Sequence, residues 1–260
     1  MNSTPPGPEP DYPQMAATRG RIEPVPRRVR GFLGHQLVFD TTSARYVWEV
    51  PYYPQYYVPV ADVVPGLLRD EGHPQRVQFG PSRTFSLVGA DGTATSAARV
   101  FDAGDSPVAG LVKFEWNALS WFEEDEPIYG HPRNPYTRVD ALRSHRHVKV
   151  ALDGVTLADT RCPVTVFETG LPTRYYIDRT DVAFEYLLPT DTQTLCPYKG
   201  VTAQYWSVRV NDTVHQDLAW TYETPLLAVA PIANLVAFYN EKVDITVDGV
   251  GVGRPRTHFG

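Results

Sequence analysis

Apolar and polar residues alternate with period two along much of the chain. Val148, Val150 and Leu152 alternate with Lys149, Ala151 and Asp153, the pattern of a half-buried strand. Asp153-Gly154 then offers a tight hairpin turn. Residues 162–167 and 174–177 read as two further strands, with a turn at Gly170-Leu171-Pro172 between them. Trp206, Val208 and Val210 alternate next, and Asn211-Asp212 reverses the chain. Strands follow over residues 214–222 and 236–239. Val243, Ile245 and Val247 form a last strand that ends at Asp248-Gly249. Helical turns are predicted only near residues 181–187 and 230–235, and Leu188-Pro189-Thr190-Asp191 reads as a capped turn. The region is mainly antiparallel β, with about seven short strands.

The same pattern occurs twice. Sliding the chain on itself by 119 residues sets Glu49 on Glu168, Val29 on Val148, Leu33 on Leu152 and Val47 on Val166. It also sets Asp40-Thr41 on Asp159-Thr160, Tyr56-Tyr57 on Tyr175-Tyr176 and Asp62-Val63 on Asp181-Val182. At offset 121, Phe85-Ser86-Leu87 meets Trp206-Ser207-Val208. At offset 124, Pro107, Ala109, Leu111, Val112 and Phe114 meet Pro231, Ala233, Leu235, Val236 and Phe238. The offset grows slowly, as small loop insertions require, and the order of the matches is kept. The predicted organisation is a first domain over residues 28–140 and a second over 141–260, preceded by a Pro-rich tail, 1–27, expected to be disordered. His131-Pro132-Arg133-Asn134-Pro135-Tyr136 is an extended linker, because its prolines lack amide donors. Duplication lets one copy cover the other's open sheet edge, which suggests a monomer with a pseudo-twofold domain pair, or a homodimer.

Composition narrows the function classes. With 260 residues, 42% hydrophobic and 21% charged, the chain is long enough to bury cores without a disulfide or metal clamp. The 24 prolines and 15 tyrosines suit short strands rather than long helices. A net charge of -6 disfavours nucleic-acid binding, which needs clustered Lys and Arg. The one basic cluster, residues 143–149, reads as a solvated edge at the junction of the copies. The two cysteines, Cys162 and Cys196, form no CxxC pair, so neither a zinc site nor any other metal or cofactor is expected. No run approaches the roughly 20 apolar residues of a membrane span, and no signal-peptide pattern is present. The expected location is the cytoplasm, with reduced thiols.

Several segments of the second copy together resemble one family. They are Val166-Phe167-Glu168, Tyr175-Tyr176, Asp181-Val182, Leu188-Pro189-Thr190-Asp191, Cys196-Pro197-Tyr198-Lys199-Gly200, Tyr205-Trp206-Ser207, Asp217-Leu218-Ala219-Trp220, Pro231-Ile232-Ala233 and Ala237-Phe238-Tyr239. As a set they are similar to the domain of unknown function 427 family, and the linker resembles that of its tandem members. The resemblance implies a small β-tent-like antiparallel two-sheet domain. It implies no activity. The nucleotidyltransferase-like name given to the family finds no support here, since the chain has neither a Gly-rich phosphate loop nor an Asp-x-Asp metal pair.

Candidate chemistry concentrates in the second copy. Cys196 becomes a nucleophile if positive charge or backbone amides lie close by, and Lys199 follows three residues on, in a turn bounded by Pro197 and Gly200. The plain alternative is a buried cysteine beside a tight turn, with Lys199 reaching to solvent. In the first copy the thiol has no counterpart; one local register puts His73 opposite Cys196 and Arg76 opposite Lys199. Glu168, matched by Glu49, reads either as a general base in an apolar pocket or as a structural acceptor. Tyr198, Lys199, Tyr175, Trp206 and Trp220 are candidate ligand-binding residues, although most strand aromatics belong in a core. His215 reads as a surface side chain. Three functions stay open: binding of a small ligand, anions included, in a pocket of the second domain; an enzyme using Cys196 or Glu168 with Lys199; and a scaffold for protein contacts.

Overall fold

The computed structural model describes residues 19–257, apart from Tyr52, Asp91, Ala103 and Asp105. The chain divides into two compact units between Pro135 and Tyr136, inside the predicted linker. Each unit is a pair of antiparallel sheets, and the two units share one topology.

In the second unit the larger sheet has seven strands. Their spatial order is Val139–Arg143, Val164–Glu168, Arg174–Ile177, Val236–Phe238, Thr213–Thr221, Gln204–Val210 and Leu187–Thr190. The smaller sheet runs Val155–Thr160, Val148–Leu152, Asp244–Val247 and Val250–Val252. In the first unit the seven strands are Ile22–Pro24, Arg45–Val47, Gln55–Pro59, Leu111–Phe114, Gly92–Phe101, Gly80–Gly89 and Leu68–Val77. Its smaller sheet runs Glu126–Ile128, Ser120–Glu123, Val29–Leu33 and Gln36–Thr41. Even the irregularities repeat. Both copies have a register shift at Phe85/Leu87 or Trp206/Val208, opposite a residue with left-handed backbone, Ser96 (φ 49°) or Asp217 (φ 50°).

The hairpin turns follow from their residues. Asp153-Gly154, Asn211-Asp212 and Asp248-Gly249 all have positive φ at both positions, as a two-residue turn matched to strand twist requires. The helical content is short 3₁₀ turns: Arg179–Asp181, Phe184–Tyr186 and Leu227–Ile232 in the second domain, near the predicted places.

Period two gives each large sheet two apolar faces. The inner face packs on the small sheet. In the second domain this core includes Val148, Val150, Tyr175, Trp206, Val208 and Ile245. The outer face carries a separate cluster, with Val164, Val166, Tyr176, Tyr205, Trp220 and Ala237. The loop 191–203 and the segment 224–235 provide the polar and apolar groups above that face.

Three boundaries differ from expectation. Ile22–Pro24 pairs with Arg45–Val47, so the first sheet begins inside the stretch assigned to a disordered tail; residues 1–18 of that stretch lie outside the described residues. Val139–Arg143 pairs with Val164–Glu168 and belongs to the second domain, and its basic neighbour Arg146 is ion-paired with Asp248 within the same unit. Leu187–Thr190 is an edge strand rather than a capped turn. An edge tolerates Pro189, whose missing amide then faces away from the ladder.

Candidate functional site

One transverse row of the second domain's large sheet sets up the site. Val164, Tyr176, Ala237, Trp220, Tyr205 and Thr190 are successive cross-strand partners, so their side chains share the outer face. Glu168 is on the same face, two and four residues beyond Val166 and Val164. The loop 191–203 then folds over this row. It is closed by the pairing of Leu195–Cys196 with Gly200–Val201, by Thr194 N donating to Thr202 Oγ1 at 2.8 Å, and by Leu226 N donating to Lys199 O at 3.0 Å. Gly200 has φ 99°, a conformation that residues with a Cβ rarely adopt.

This fold-back brings Lys199 to Glu168. Lys199 Nζ donates to Glu168 Oε2 and lies 3.8 Å from Cys196 Sγ. The two charged side chains are only 10% and 9% exposed. Burial works against the Lys199 ammonium, yet Cys196, Glu168 and Tyr176 together outweigh it and hold Lys199 above the ordinary lysine value. Tyr176 is fully buried below the pair, and its hydroxyl accepts from Trp220 Nε1 at 3.3 Å. Burial pushes Tyr176 up to about 12 against the opposing pull of Lys199. Tyr222 is also raised, by burial and then by Tyr176 and Cys196. These phenols are therefore neutral donors at ordinary pH. Cys196 is partly exposed, and both cysteines are free thiols.

A second polar group flanks the first. Arg174 makes two hydrogen bonds to Glu241, at 2.6 and 2.7 Å, and one to Asn240 Oδ1 at 3.0 Å. Its guanidinium sits over Trp220 and Tyr239. Arg174 outweighs the cost of burial and holds Glu241 below the usual carboxylate range. Tyr205 links the loop to this group through Thr194 Oγ1 and Tyr239 Oη, each at 3.1 Å.

Of the residues singled out from sequence, the structure brings together Cys196, Lys199 and Glu168, with Trp220 beneath. Tyr198 is part-buried in the same loop. Tyr175 and Trp206 are elsewhere: they belong to the inner core, on the opposite side of the sheet. The reason is the strand period, which sends Tyr175 and Tyr176, or Tyr205 and Trp206, to opposite faces. Tyr205, Tyr222 and the Arg174–Glu241 pair were not among the sequence candidates. Strand register, which a single sequence leaves open, was the missing signal. His215 is part-buried, with Nε2 3.3 Å from Asp153. A surface depression of about 360 Å³ on this domain is lined by residues 156–159 and 180–183, away from Cys196. The site is thus a partly exposed cysteine backed by a largely buried ion pair.

The first domain has the carboxylate without the loop. Glu49 accepts from Tyr57 Oη at 2.7 Å and from Lys113 Nζ at 2.8 Å. Tyr57 matches Tyr176, but Lys113 stands where the second domain has Ala237. In place of the loop 191–203, the first domain continues its edge as the long hairpin of Leu68–Val77 and Gly80–Gly89. His73 pairs with Thr84 in that hairpin and is 70% exposed. The register that set His73 against Cys196 therefore does not hold in space. The equivalent carboxylate, 9% exposed in the second domain and 29% in the first, finds its lysine from a loop in one copy and from a neighbouring strand in the other.

The family model described as Domain of unknown function (DUF427) matches the chain twice, over residues 21–119 and 140–249. No curated protein matches the chain. Among the described residues, no helix is long and apolar enough to cross a membrane, and no group of three or more His, Cys, Asp or Glu side chains is placed to hold a metal ion.

Proposed function

Because both halves of the chain belong to the DUF427 family, whose description assigns no activity, we propose a function from the geometry alone: the second domain binds a small ligand over Cys196. One observation carries this reading. Cys196 is partly exposed, while the side chains of Lys199 and Glu168 are 10% and 9% exposed and Tyr176 is fully buried, so a molecule arriving from solvent meets the cysteine before the ion pair. The Lys199 ammonium lies 3.8 Å from Sγ, within reach of a hydrogen bond to sulfur, so a group bound at the thiol also meets the lysine's N–H donors. Lys199 is already ion-paired with Glu168, so an anion would not find a free cation there; the thiol is the group on offer. The same distance favours a second reading, in which Cys196 is the nucleophile of an enzyme, Lys199 its positioning cation and Glu168 the anchor of that cation.

Thiol alkylation tests both. With Cys162→Ser, Cys196 is the single cysteine. Iodoacetamide is expected to modify it readily at neutral pH in the folded protein, and Lys199→Met to slow that reaction several-fold. Fractionated small metabolites are then screened for protection of Cys196 and for a raised melting temperature. Alkylation that needs unfolding, or that ignores Lys199→Met, would sink both readings. Reactive Cys196 with no protecting metabolite would sink ligand binding and leave the nucleophile.

A further inference from the structure

The outer face of the first domain's large sheet has diverged from its counterpart in one direction. Along the row equivalent to Val164, Tyr176, Ala237, Trp220 and Tyr205, the first domain has Arg45, Tyr57, Lys113, Arg99 and Thr84. An aromatic platform in one copy is a cationic row in the other. Lys113 and Arg99 stand directly opposite each other on adjacent strands, a like-charge pairing that costs stability unless an anion lies between. Glu49 neutralises Lys113, at 2.8 Å. Arg99 has a single hydrogen bond, from Nη2 to the neutral amide oxygen of Gln75 at 3.2 Å, and no ion pair among the described residues. Arg45 adds a further exposed charge at the end of the row.

A second, independent feature lies in the same row. Thr84, the cross-strand partner of Arg99, is 9% exposed, and its buried Oγ1 has no hydrogen-bond partner. A buried hydroxyl without a partner is destabilising, so its retention beside an unneutralised guanidinium points to an absent acceptor. One acceptor satisfies both groups. We propose that this face binds a phosphoryl oxyanion, with Arg99 giving a bidentate fork and Thr84 Oγ1 donating to a further oxygen, while Lys113 stays paired with Glu49. The geometry suits a free phosphate or the terminal group of a phosphomonoester. The site lies in the first domain and does not depend on Cys196.

Phosphate binding to the full chain is measured by ³¹P NMR titration and calorimetry at matched ionic strength, with inorganic phosphate, phenyl phosphate and chloride in separate arms. Saturable binding of inorganic phosphate, absent with chloride, is expected, and Arg99→Gln is expected to weaken it about tenfold or more. Tighter binding of phenyl phosphate than of inorganic phosphate would assign the ester as the ligand, and the reverse the free ion. Thr84→Val supplies a readout that no merely structural role gives. It removes a buried unsatisfied hydroxyl, so the unliganded protein is expected to melt higher while phosphate affinity falls several-fold. No saturable binding at millimolar concentrations, or binding unchanged by both substitutions, would overturn the proposal.

Discussion

Lys199 and Glu168 form an ion pair largely shielded from water, and such a pair is most sensitive to the loss of one partner. Lys199→Met leaves a buried carboxylate without its cation and is expected to cost about 3 kcal/mol in urea unfolding. The double variant Lys199→Met/Glu168→Gln is expected to recover most of that loss, so the cycle gives a coupling of similar size. The first domain suggests a stricter test. If Lys113 does for Glu49 what Lys199 does for Glu168, then Lys199→Ala/Ala237→Lys should be more stable than Lys199→Ala alone. A double variant below the single one would show that overpacking at Ala237, a cost of about 1–3 kcal/mol, exceeds the electrostatic gain. The pH dependence separates the two buried pairs. Lys199 is raised in the folded state, so its contribution is complete below the unfolded lysine value and fades only in strong alkali. Glu241 is lowered by Arg174, so its contribution is present above the unfolded value of 4.5 and is lost as pH falls below it. Glu241→Gln should therefore flatten the acid limb of the stability profile and leave the neutral-to-alkaline part unchanged. At this scale the sequence showed Cys196, Lys199 and Glu168, because residue chemistry is visible in a chain. It did not show that Lys113 replaces Lys199, because that depends on which strands are neighbours.

Elements were legible wherever a local rule decides them. Period two and two-residue turns located seven strands between Val148–Leu152 and Asp244–Val247 with small errors at their ends, while Val155–Thr160 and Val250–Val252, the partner strands beyond the Asp153-Gly154 and Asp248-Gly249 turns, were not read as strands. The errors have local causes. Leu188-Pro189-Thr190 resembles a turn in isolation, and becomes a strand because Gln204–Val210 supplies a partner along one edge only. The loop 191–203 and the hairpin of Leu68–Val77 and Gly80–Gly89 grow from equivalent edges, yet no periodicity in either copy announces which form the chain will take. Turn chemistry also yields a prediction. Asp212 has φ 63°, where glycine is easier to accommodate than a residue with a Cβ. Asp212→Gly is therefore expected to raise stability by about 0.5 kcal/mol, read as an increase in melting temperature. A lower melting temperature would mean that the extra freedom of glycine in the unfolded chain outweighs the relief of strain.

Each half of the molecule closes its own sheets and buries its own clusters, and the division falls in the linker. A fragment spanning residues 136–260 is accordingly expected to fold alone, with a cooperative melt and dispersed NMR signals; a molten or insoluble fragment would show that the halves need each other. Duplication was legible at this scale because equivalent residues keep their order and nearly their spacing. The divergence of the two outer faces was not, because each face is assembled from strands far apart in the chain. The two lysines also constrain the history of the duplication. Each copy keeps the carboxylate and takes its cation from a different element, so a domain holding both lysines connects the two arrangements without leaving the carboxylate unpaired at any step: from it, the loop can change in one descendant and the strand position can become alanine in the other.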